Sequence, residues 1–214
     1  MSKVRVHGFS LSIDGYGAGP NQDLNNPLGV GGFGLHTWLT GTRTFHEMVG
    51  KEGGTTGTDD EFAKRGFENI GAEIMGRNMF GPVRGPWPDD EWKGWWGKNP
   101  PFHSDVFVLT HHARPSDKME GGTTFHFVDA SPQEALDLAL EAAGGLDVQI
   151  GGGPTVVRDF LGAGLIDMLH VVQVPILLGR GVRLWDGLEG IEEHYDIEAV
   201  SSPSGVTHLT FTRR

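Results

Sequence analysis

The sequence predicts an α/β protein of three layers, in which helices cover both faces of a mainly parallel central sheet. Short apolar segments alternate with segments of helical periodicity, a pattern typical of parallel sheets. The chain has 214 residues, of which 37% are hydrophobic, and this suits one domain with a sizeable core. Alternating segments at 195–201 and 206–212, joined by Pro-Ser-Gly, predict a C-terminal antiparallel hairpin. We therefore expect a single domain over residues 1–214.

The remaining elements follow from local signals. Besides the hairpin, strands are predicted at residues 4–12, 72–75, 106–110, 123–128, 146–150 and 165–174. Helices are predicted at 35–48, from Thr58, at 131–143 and at 154–161. The clearest of them has Ser131 as N-cap, Pro132 at its first position, Glu134 to complete a capping box, and Gly144 at its end. Thr58 and Glu61 show the same capping-box spacing.

Two segments read as loops rather than as core elements. Residues 17–57 form an insertion, rich in Gly, Asn and Pro at its start, that we expect to be mobile, above all at 50–58. The second segment holds four tryptophans, which predict a packed loop or a subunit contact rather than a lid. These are Trp87, Trp92, Trp95 and Trp96.

Charge and composition argue against several classes of function. A net charge of −11 opposes nonspecific attraction to nucleic acid or anionic membranes. Without cysteine there are no disulfides or thiolate metal sites, and the longest apolar stretch, 168–178, is too short to span a membrane. Because the first residues lack the apolar core of a signal peptide, we expect a cytoplasmic protein. Adjacent His111 and His112 point to opposite faces of a strand, so we expect no metal site.

The strongest chemical signal is a strand that runs into three glycines and then a helix, at residues 149–157. Glycines let a ligand approach the backbone, and the free amides at a helix start attract an anion despite the acidic surface. Because Val156 stands where the common dinucleotide motif has its third glycine, a tight turn without a ligand is the alternative. The candidate residues for holding a diphosphate are Gly151, Gly152, Gly153, Pro154, Thr155 and Val156.

Two further segments carry polar groups at the ends of buried strands. Gly76, Arg77 and Asn78 follow one strand, and the planar guanidinium of Arg77 suits bidentate contact with a phosphate. An isolated surface arginine is the alternative reading. Thr110 and His111 follow another strand, where their hydroxyl and imidazole groups are fitted to phosphate or ribose contacts.

Together these motifs resemble the dihydrofolate reductase superfamily. The resemblance spans nearly the whole chain and is carried, in order, by Asp14-Gly15 and by residues 74–77, 108–110, 150–155 and 164–168. The following segment, 174–185, is more similar to the reductase domain of riboflavin biosynthesis than to dihydrofolate reductase itself.

The resemblance implies a reductase that binds NADPH across the carboxyl edge of the sheet and transfers hydride to a C=N or C=O carbon. Residues 76–78 would hold the cofactor's phosphates, with Arg77 at the 2′-phosphate. Thr110 and His111 would hold the adenosine end, and residues 151–156 the diphosphate. A cis Gly151-Gly152 bond and a homodimer are also implied.

The implied substrate is 5-amino-6-(5-phosphoribosylamino)uracil. Dihydrofolate or another pterin, another small carbonyl or imine, and a nucleotide-binding protein without turnover stay open as alternatives. The riboflavin family usually has an acidic residue where this chain has Gly151, and its arginine-rich segment for the substrate phosphate is not recognisable here. Asp60 falls where dihydrofolate reductases carry the acid that assists protonation. Equally, a carboxylate in the first turn of a helix is stabilised by the helix dipole whatever its role.

Overall fold

The computed structural model describes residues 2–214, which form eleven strands and six α-helices. The strands are β1 (Val4–Ser12), β2 (Tyr16–Ala18), β3 (Ile70–Gly76), β4 (Asp105–Leu109), β5 (Asp117–Lys118), β6 (Thr124–Val128), β7 (Asp147–Gly152), β8 (Met168–Val174), β9 (Val182–Arg183), β10 (Tyr195–Ser201) and β11 (Thr207–Arg213). The helices are α1 (Thr37–Thr40), α2 (Arg43–Met48), α3 (Thr58–Arg65), α4 (Arg77–Phe80), α5 (Pro132–Ala143) and α6 (Pro154–Gly162). Short 3₁₀ helices occupy Gly32–His36, Glu120–Gly122 and Ile191–His194.

Nine strands form one sheet in the order β10-β11-β8-β1-β7-β3-β4-β6-β5. The strands from β8 to β6 in this order are parallel to one another, whereas β5, β10 and β11 pair antiparallel. The predicted fold class is therefore confirmed. The C-terminal hairpin is confirmed as well, since β10 pairs with β11 along its whole length, and Gly205 turns the chain between them at a φ of 91°.

Helices α5 and α6 cover one face of this sheet. Leu136 and Ala139 of α5 and Phe160 of α6 are buried in the same apolar cluster as Ile74 and Val148 from the strands below. The start of α5 is confirmed as predicted, because Ser131 and Glu134 form both hydrogen bonds of a capping box. Burial of this size, worth about 1.5–3 kcal/mol for each large apolar side chain, fixes the strands that carry the site.

The opposite face is covered by α1, α3 and the long loop between α4 and β4. Trp38 of α1 is buried with Val172 and Val174 of β8. Trp87 and Trp92 from the loop pack against a second apolar cluster of this face. The tryptophan segment is thus a packed loop. On this face, α1 and α3 lie on the β8 side of the sheet and the tryptophan loop lies over β3, β4 and β6, with the central strands between these two coverings.

The 17–57 segment differs from its prediction in one respect. The helix expected at 35–48 is broken into a 3₁₀ turn, α1 and α2, because the chain turns at Gly41 and Thr42 then caps α2 by accepting a hydrogen bond from the Phe45 amide. Part of the segment is firmly packed, since Leu35 and Trp38 are buried. The mobility expected for its remainder stays a prediction.

The capping box expected at the start of α3 is wrong by one residue. Gly57 is the N-cap, at a φ of 118°, and Thr58 is already the first helical residue. Because a glycine has no side chain to accept a hydrogen bond, the three acidic residues of the first turn, Asp59, Asp60 and Glu61, stabilise this helix end through its dipole.

Over residues 2–214, no helix has the length and apolar character needed to cross a membrane.

Candidate functional site

Sheet register brings the three predicted phosphate-binding segments together. The neighbouring parallel strands β7, β3 and β4 align Met75 with Gly152 and Gly76 with Leu109 at their carboxyl ends. The triple-glycine bend after β7, the Gly76-Arg77 corner after β3 and Thr110 after β4 therefore lie side by side. Such an edge, where loops leave parallel strands, is the usual ligand site of an open α/β sheet.

The triple-glycine bend is shaped so that backbone, and not side chains, faces the edge. Gly152 has a φ of 129°, which side chains rarely allow, and a Cβ built on Gly153 would meet no atom of the described chain within 4 Å. A Cβ on Gly76 would come within 2.8 Å of Val156 Cγ2, so glycine there lets the two corners pack. The cis peptide joins Gly152 and Gly153, one residue later than the predicted Gly151-Gly152 bond.

Helix α6 points its amino terminus at this open space. Gly153 is its N-cap, Pro154 its first residue, and in the described chain no side chain caps the helix. The first amides of a nine-residue helix are therefore available to an anion, and the helix dipole favours negative charge there. Thr155 and Val156 belong to this first turn, with Thr155 exposed.

Arg77 is the second feature of the edge that could hold an anion. Its Nη1 donates to Thr110 Oγ1 at 3.3 Å, and its guanidinium lies 3.7 Å from the centre of the Trp87 ring. Its Nε and Nη2 are buried, and no group of residues 2–214 accepts a hydrogen bond from them. Burial, then the guanidiniums of Arg84 and Arg114, lower the pKa of Arg77. Two unpaired N–H donors, close to the positive charges of Arg84 and Arg114, are typical of a place where an anion can bind.

The other predicted contacts frame this corner. Thr110 is buried and accepts a second hydrogen bond, from the His112 amide at 3.1 Å. His111 is exposed at the rim, where its Nδ1 lies 2.9 Å from Asp129 Oδ1. Asn78 is exposed on α4. His111 and Asn78 are therefore accessible to a ligand, whereas Thr110 is buried.

Comparison with known protein families assigns the chain. The model of the RibD C-terminal domain matches residues 6–202. The chain belongs to this family. Members of the RibD C-terminal family are in general reductases, so the fold described above is that of a reductase-like domain.

Solved structures of similar fold agree with the family. A protein of Shewanella sp. PV-4 described as a riboflavin biosynthesis protein is 21% identical, with a TM-score of 0.58 over 100% of this chain and 99% of that one. A pyrimidine reductase-like protein of Corynebacterium diphtheriae is 15% identical, with a TM-score of 0.52 over 100% of this chain and 92% of its own.

A third relative is longer. The diaminohydroxyphosphoribosylaminopyrimidine deaminase/5-amino-6-(5-phosphoribosylamino)uracil reductase of Thermotoga maritima is 13% identical, with a TM-score of 0.52 over 100% of this chain and 57% of its own. At these identities the likeness shows the fold. No curated protein matches the sequence.

Within this RibD C-terminal domain, the Asp60 carboxylate is held by neighbouring groups of the chain. Its Oδ1 accepts a hydrogen bond from the Thr44 amide at 2.7 Å, and its Oδ2 lies 3.8 Å from Arg43 Nη2. The carboxylate is buried and joins the start of α2 to α3. The geometry thus supplies a structural reason for Asp60, and its role as a catalytic acid stays a prediction.

A second carboxyl group, Glu73 on β3, was not among the sequence candidates. Its residue is only 4% exposed, and burial alone raises its pKa to about 8. A Cβ on Gly151 would overlap Glu73 Oε1, so the carboxyl fills the space beside β7 that a side chain at position 151 would take. Met79 flanks the same place, 3.3 Å from that Cβ position. The family usually has an acid where this chain has Gly151, and here an acid from the neighbouring strand occupies that space.

Two more polar atoms lie unpartnered on this face of the sheet. Gln149 of β7 aligns with Glu73, and its Oε1 is buried with no hydrogen-bond partner in residues 2–214. His7 of β1 is similar, because its Nε2 lies 2.6 Å from the Phe62 carbonyl while its Nδ1 is buried and unpaired within the same described range. We call Glu73, Gln149 and His7 the polar floor. Buried polar groups without partners are rare enough to mark a place where a ligand can supply them.

A buried chain of histidines runs beside the polar floor. Gly8 N–H donates to His170 Nδ1, so the neutral His170 carries its proton on Nε2, which lies 3.0 Å from His208 Nδ1. His208 Nε2 in turn lies 2.8 Å from Asp59 Oδ1. All donors point towards the carboxylate, and the chain ties β1, β8 and β11 to the start of α3. Among residues 2–214, no group of three or more histidine, cysteine, aspartate or glutamate side chains is arranged to hold a metal ion.

These histidines make stability dependent on pH. Burial lowers the pKa of His7 to about 4 and that of His170 to about 2, from an ordinary value of 6.5. Below about pH 6.5 the unfolded chain binds protons that the folded protein does not bind. The free energy of unfolding therefore decreases as the pH is lowered, by about 1.4 kcal/mol per pH unit for each ring. Urea denaturation between about pH 7 and about pH 5 measures this slope.

The variant His7→Gln removes one of the two rings and should reduce that slope by about one bound proton. His112→Gln, at an exposed position, serves as the control and should keep the original slope. An unaltered slope in His7→Gln would mean that this ring takes up its proton in the folded protein as it does in the unfolded chain.

Proposed function

We propose that this RibD C-terminal domain is an NADPH-dependent oxidoreductase that reduces a C=N or C=O carbon of a small molecule. The observation that carries the proposal is the pair of buried, unpartnered Arg77 nitrogens beside an open glycine bend at a helix amino terminus. A dinucleotide with a 2′-phosphate offers one anion to each place, which gives an acidic protein local sites for phosphate.

The residues of the carboxyl edge fit this cofactor. Gly152, Gly153 and the first turn of α6 would hold the diphosphate, and Gly76 leaves room beside it. Arg77 would hold the 2′-phosphate while the Trp87 ring packs against its guanidinium, and the unpaired Nε and Nη2 suit bidentate contact. Thr110, His111 and Asn78 would border the adenosine end.

When bound, NADPH supplies the hydride, so the chain itself has to position the acceptor and exclude water. The polar floor lies between the two coverings of the sheet, next to the glycine bend. Family membership favours 5-amino-6-(5-phosphoribosylamino)uracil as the acceptor, and a pterin or another small carbonyl or imine is the alternative. A homodimer and a cytoplasmic location, carried over from the family resemblance and the composition, are part of the proposal. Gel filtration coupled to light scattering tests the dimer.

Two measurements test the proposal. Titration calorimetry should show that NADPH binds more tightly than NADH. Loss of nicotinamide absorbance in a screen of aminouracil, pterin and small carbonyl compounds should then identify the acceptor. Equal and weak binding of both nucleotides would refute the cofactor assignment. Tight NADPH binding with no turnover across the screen would favour a nucleotide-binding protein instead.

Gly153→Ala tests the bend without disturbing the fold. The backbone there has a φ of −80°, which alanine adopts, and the added methyl meets no atom of residues 2–214 within 4 Å. We expect an unchanged melting temperature and at least about a tenfold loss of NADPH affinity, because the methyl occupies the diphosphate's place.

The matched control is Gly162→Ala at the far end of the same helix, where the methyl makes only ordinary contact with Leu188 at 3.7 Å. It should leave NADPH affinity as it is. Full affinity in a folded Gly153→Ala protein would remove the diphosphate from the bend.

A further inference from the structure

Trp87 lies between two arginine side chains at the corner formed by Arg77. The guanidinium carbons of Arg77 and Arg114 are 3.7 and 4.3 Å from the centre of its ring. At such distances each guanidinium covers one face of an indole, so the two occupy opposite faces. The ring is also held at its edge, because its Nε1 donates to the His112 carbonyl at 2.5 Å. The indole is therefore held from three sides.

Arg114 is the buried member of this arrangement. Its side chain is 3% exposed, and its Nη2 donates to Asp117 Oδ2 and to the Trp92 carbonyl, each at 2.6 Å. Its Nε and Nη1 have no hydrogen-bond partner in residues 2–214, and the rings of Trp87 and Phe127, 4.3 and 4.2 Å from its guanidinium carbon, attract the cation there instead. Asp117 balances the charge of this enclosed group, so its effect on a ligand passes through Trp87.

Arg77 differs from Arg114 in both burial and charge balance. It is only partly buried, and no carboxylate of residues 2–214 pairs with it, although the chain has 28 acidic and 17 basic residues. Its one hydrogen-bond acceptor is the Thr110 hydroxyl, at 3.3 Å. A carboxylate would neutralise this guanidinium and occupy its donors. The face of an indole attracts the cation and leaves its charge and its in-plane N–H groups for a ligand.

The sequence around Trp87 restricts the backbone that carries this ring. Pro86 and Pro88 flank it on both sides. Each proline fixes its own φ and disfavours the helical region for the residue before it, so the conformations open to Trp87 are few. A side chain on such a backbone loses little entropy when it takes its place, which suits a residue that orders another one.

We propose that Trp87 and Arg114 are positioning residues of the 2′-phosphate subsite. Arg114 holds the indole from one face, and the indole holds the Arg77 guanidinium on its other face, with charge and two N–H groups left for the phosphate. This role rests on the proposed function, because it needs NADPH at the carboxyl edge. Selection of a nucleotide 2′-phosphate over a 2′-hydroxyl then depends on Trp87 and Arg114 as well as on Arg77.

Titration calorimetry of the full chain with NADPH and with NADH tests the role of Trp87. Trp87→Leu should bind NADPH at least about tenfold more weakly and NADH less than about twofold more weakly, because NADH has no phosphate to place on Arg77. Trp87→Phe keeps an aromatic face and should stay within about threefold of wild type for NADPH. The matched control is Trp95→Leu in the same loop, where the ring packs edge-on against Trp92 and no guanidinium of residues 2–214 lies over it. It should leave both affinities unchanged.

A double-mutant cycle shows whether the two residues act through Arg77. Arg114→Met should weaken NADPH binding at least about fivefold and spare NADH, while Lys93 remains as an ion-pair partner of Asp117. When Arg77 is already alanine, Trp87→Leu and Arg114→Met should each change NADPH affinity by less than about twofold. A change of packing alone would weaken the binding of both nucleotides in either background. Retained NADH binding also shows that each variant is folded.

Wild-type NADPH affinity in Trp87→Leu would overturn the proposal, and so would equal losses for NADPH and NADH. Tighter NADPH binding would mean that the indole blocks the guanidinium instead of holding it. A Trp87→Phe protein as weak as Trp87→Leu would remove the role of the aromatic face.

Failure of the proposed function gives a different result, because wild type would then bind NADPH and NADH equally. If wild type prefers NADPH, and Arg77→Ala loses that preference while Trp87→Leu keeps it, the cofactor assignment stands and the positioning role fails.

Discussion

Glu73→Gln should raise the free energy of unfolding by about 3–5 kcal/mol near pH 8 and leave it nearly unchanged near pH 4. The reason is the pKa of this carboxyl, which burial raises from 4.5 to about 8. Below pH 4.5 the group is protonated in both states, and folding costs nothing extra. Between these values the unfolded chain releases a proton that the folded protein keeps, so wild type loses stability as pH rises, and glutamine does not.

Urea denaturation of the ligand-free protein across this range gives the difference directly. The control is Glu141→Gln on the exposed side of α5, which should behave as wild type at every pH. A Glu73→Gln protein whose stability differs from wild type by a constant amount at all pH values would mean that Glu73 ionises as it would in water. The stabilising direction matters, because a residue kept at a cost to stability is one that function has reason to retain.

Arg77→Ala should weaken NADPH binding by about 100-fold or more and NADH binding by less than about threefold. The guanidinium has two buried nitrogens to give to the 2′-phosphate, and charge-assisted hydrogen bonds contribute about 1.5–3 kcal/mol each. NADH has no group at that place, so it loses little.

Calorimetry is the proper measurement for this variant, because removing Arg77 also changes the surroundings of Trp87 and hence its fluorescence. The control variant Arg214→Ala removes one positive charge beside the outermost strand, where Arg214 pairs with Asp196 of β10. It should leave the affinity for both nucleotides unchanged. Equal losses for NADPH and NADH in Arg77→Ala would leave this arginine with a structural role beneath Trp87.

Local signals explain why so much of the fold is predictable from the sequence. Ser131, Glu134 and Gly144 act within one helix, and the strand-glycine-helix pattern of residues 149–157 is likewise local, so both are found where expected. The meeting of Gly76, Thr110 and the glycine bend is predictable too, because adjacent parallel strands bring their carboxyl ends to one edge. The prediction of one helix over 35–48 is wrong. The spacing of its apolar residues fits a helix, but the chain turns at Gly41 and Thr42.

The polar floor needs information that periodicity lacks. Glu73 stands in an apolar strand and reads as a surface residue of it until the register places it beside Gln149 and Gly151. Two features of the sequence together could have indicated this site. They are the single acidic residue within β3 and the glycine where the family usually has an acid. Similarly, His170 and His208 meet only because β11 returns to pair with β8, which brings two side chains 38 positions apart within hydrogen-bond distance.

The central claim is that the carboxyl edge holds a dinucleotide with its diphosphate at the glycine bend and its 2′-phosphate on Arg77. A crystal structure of the protein with NADP⁺ tests it most directly. We predict density for the diphosphate within hydrogen-bond distance of the Gly153 and Thr155 region, and a bidentate phosphate on the Arg77 guanidinium. A nucleotide bound elsewhere, or a bend that stays without ligand at a saturating concentration of NADP⁺, would contradict the account.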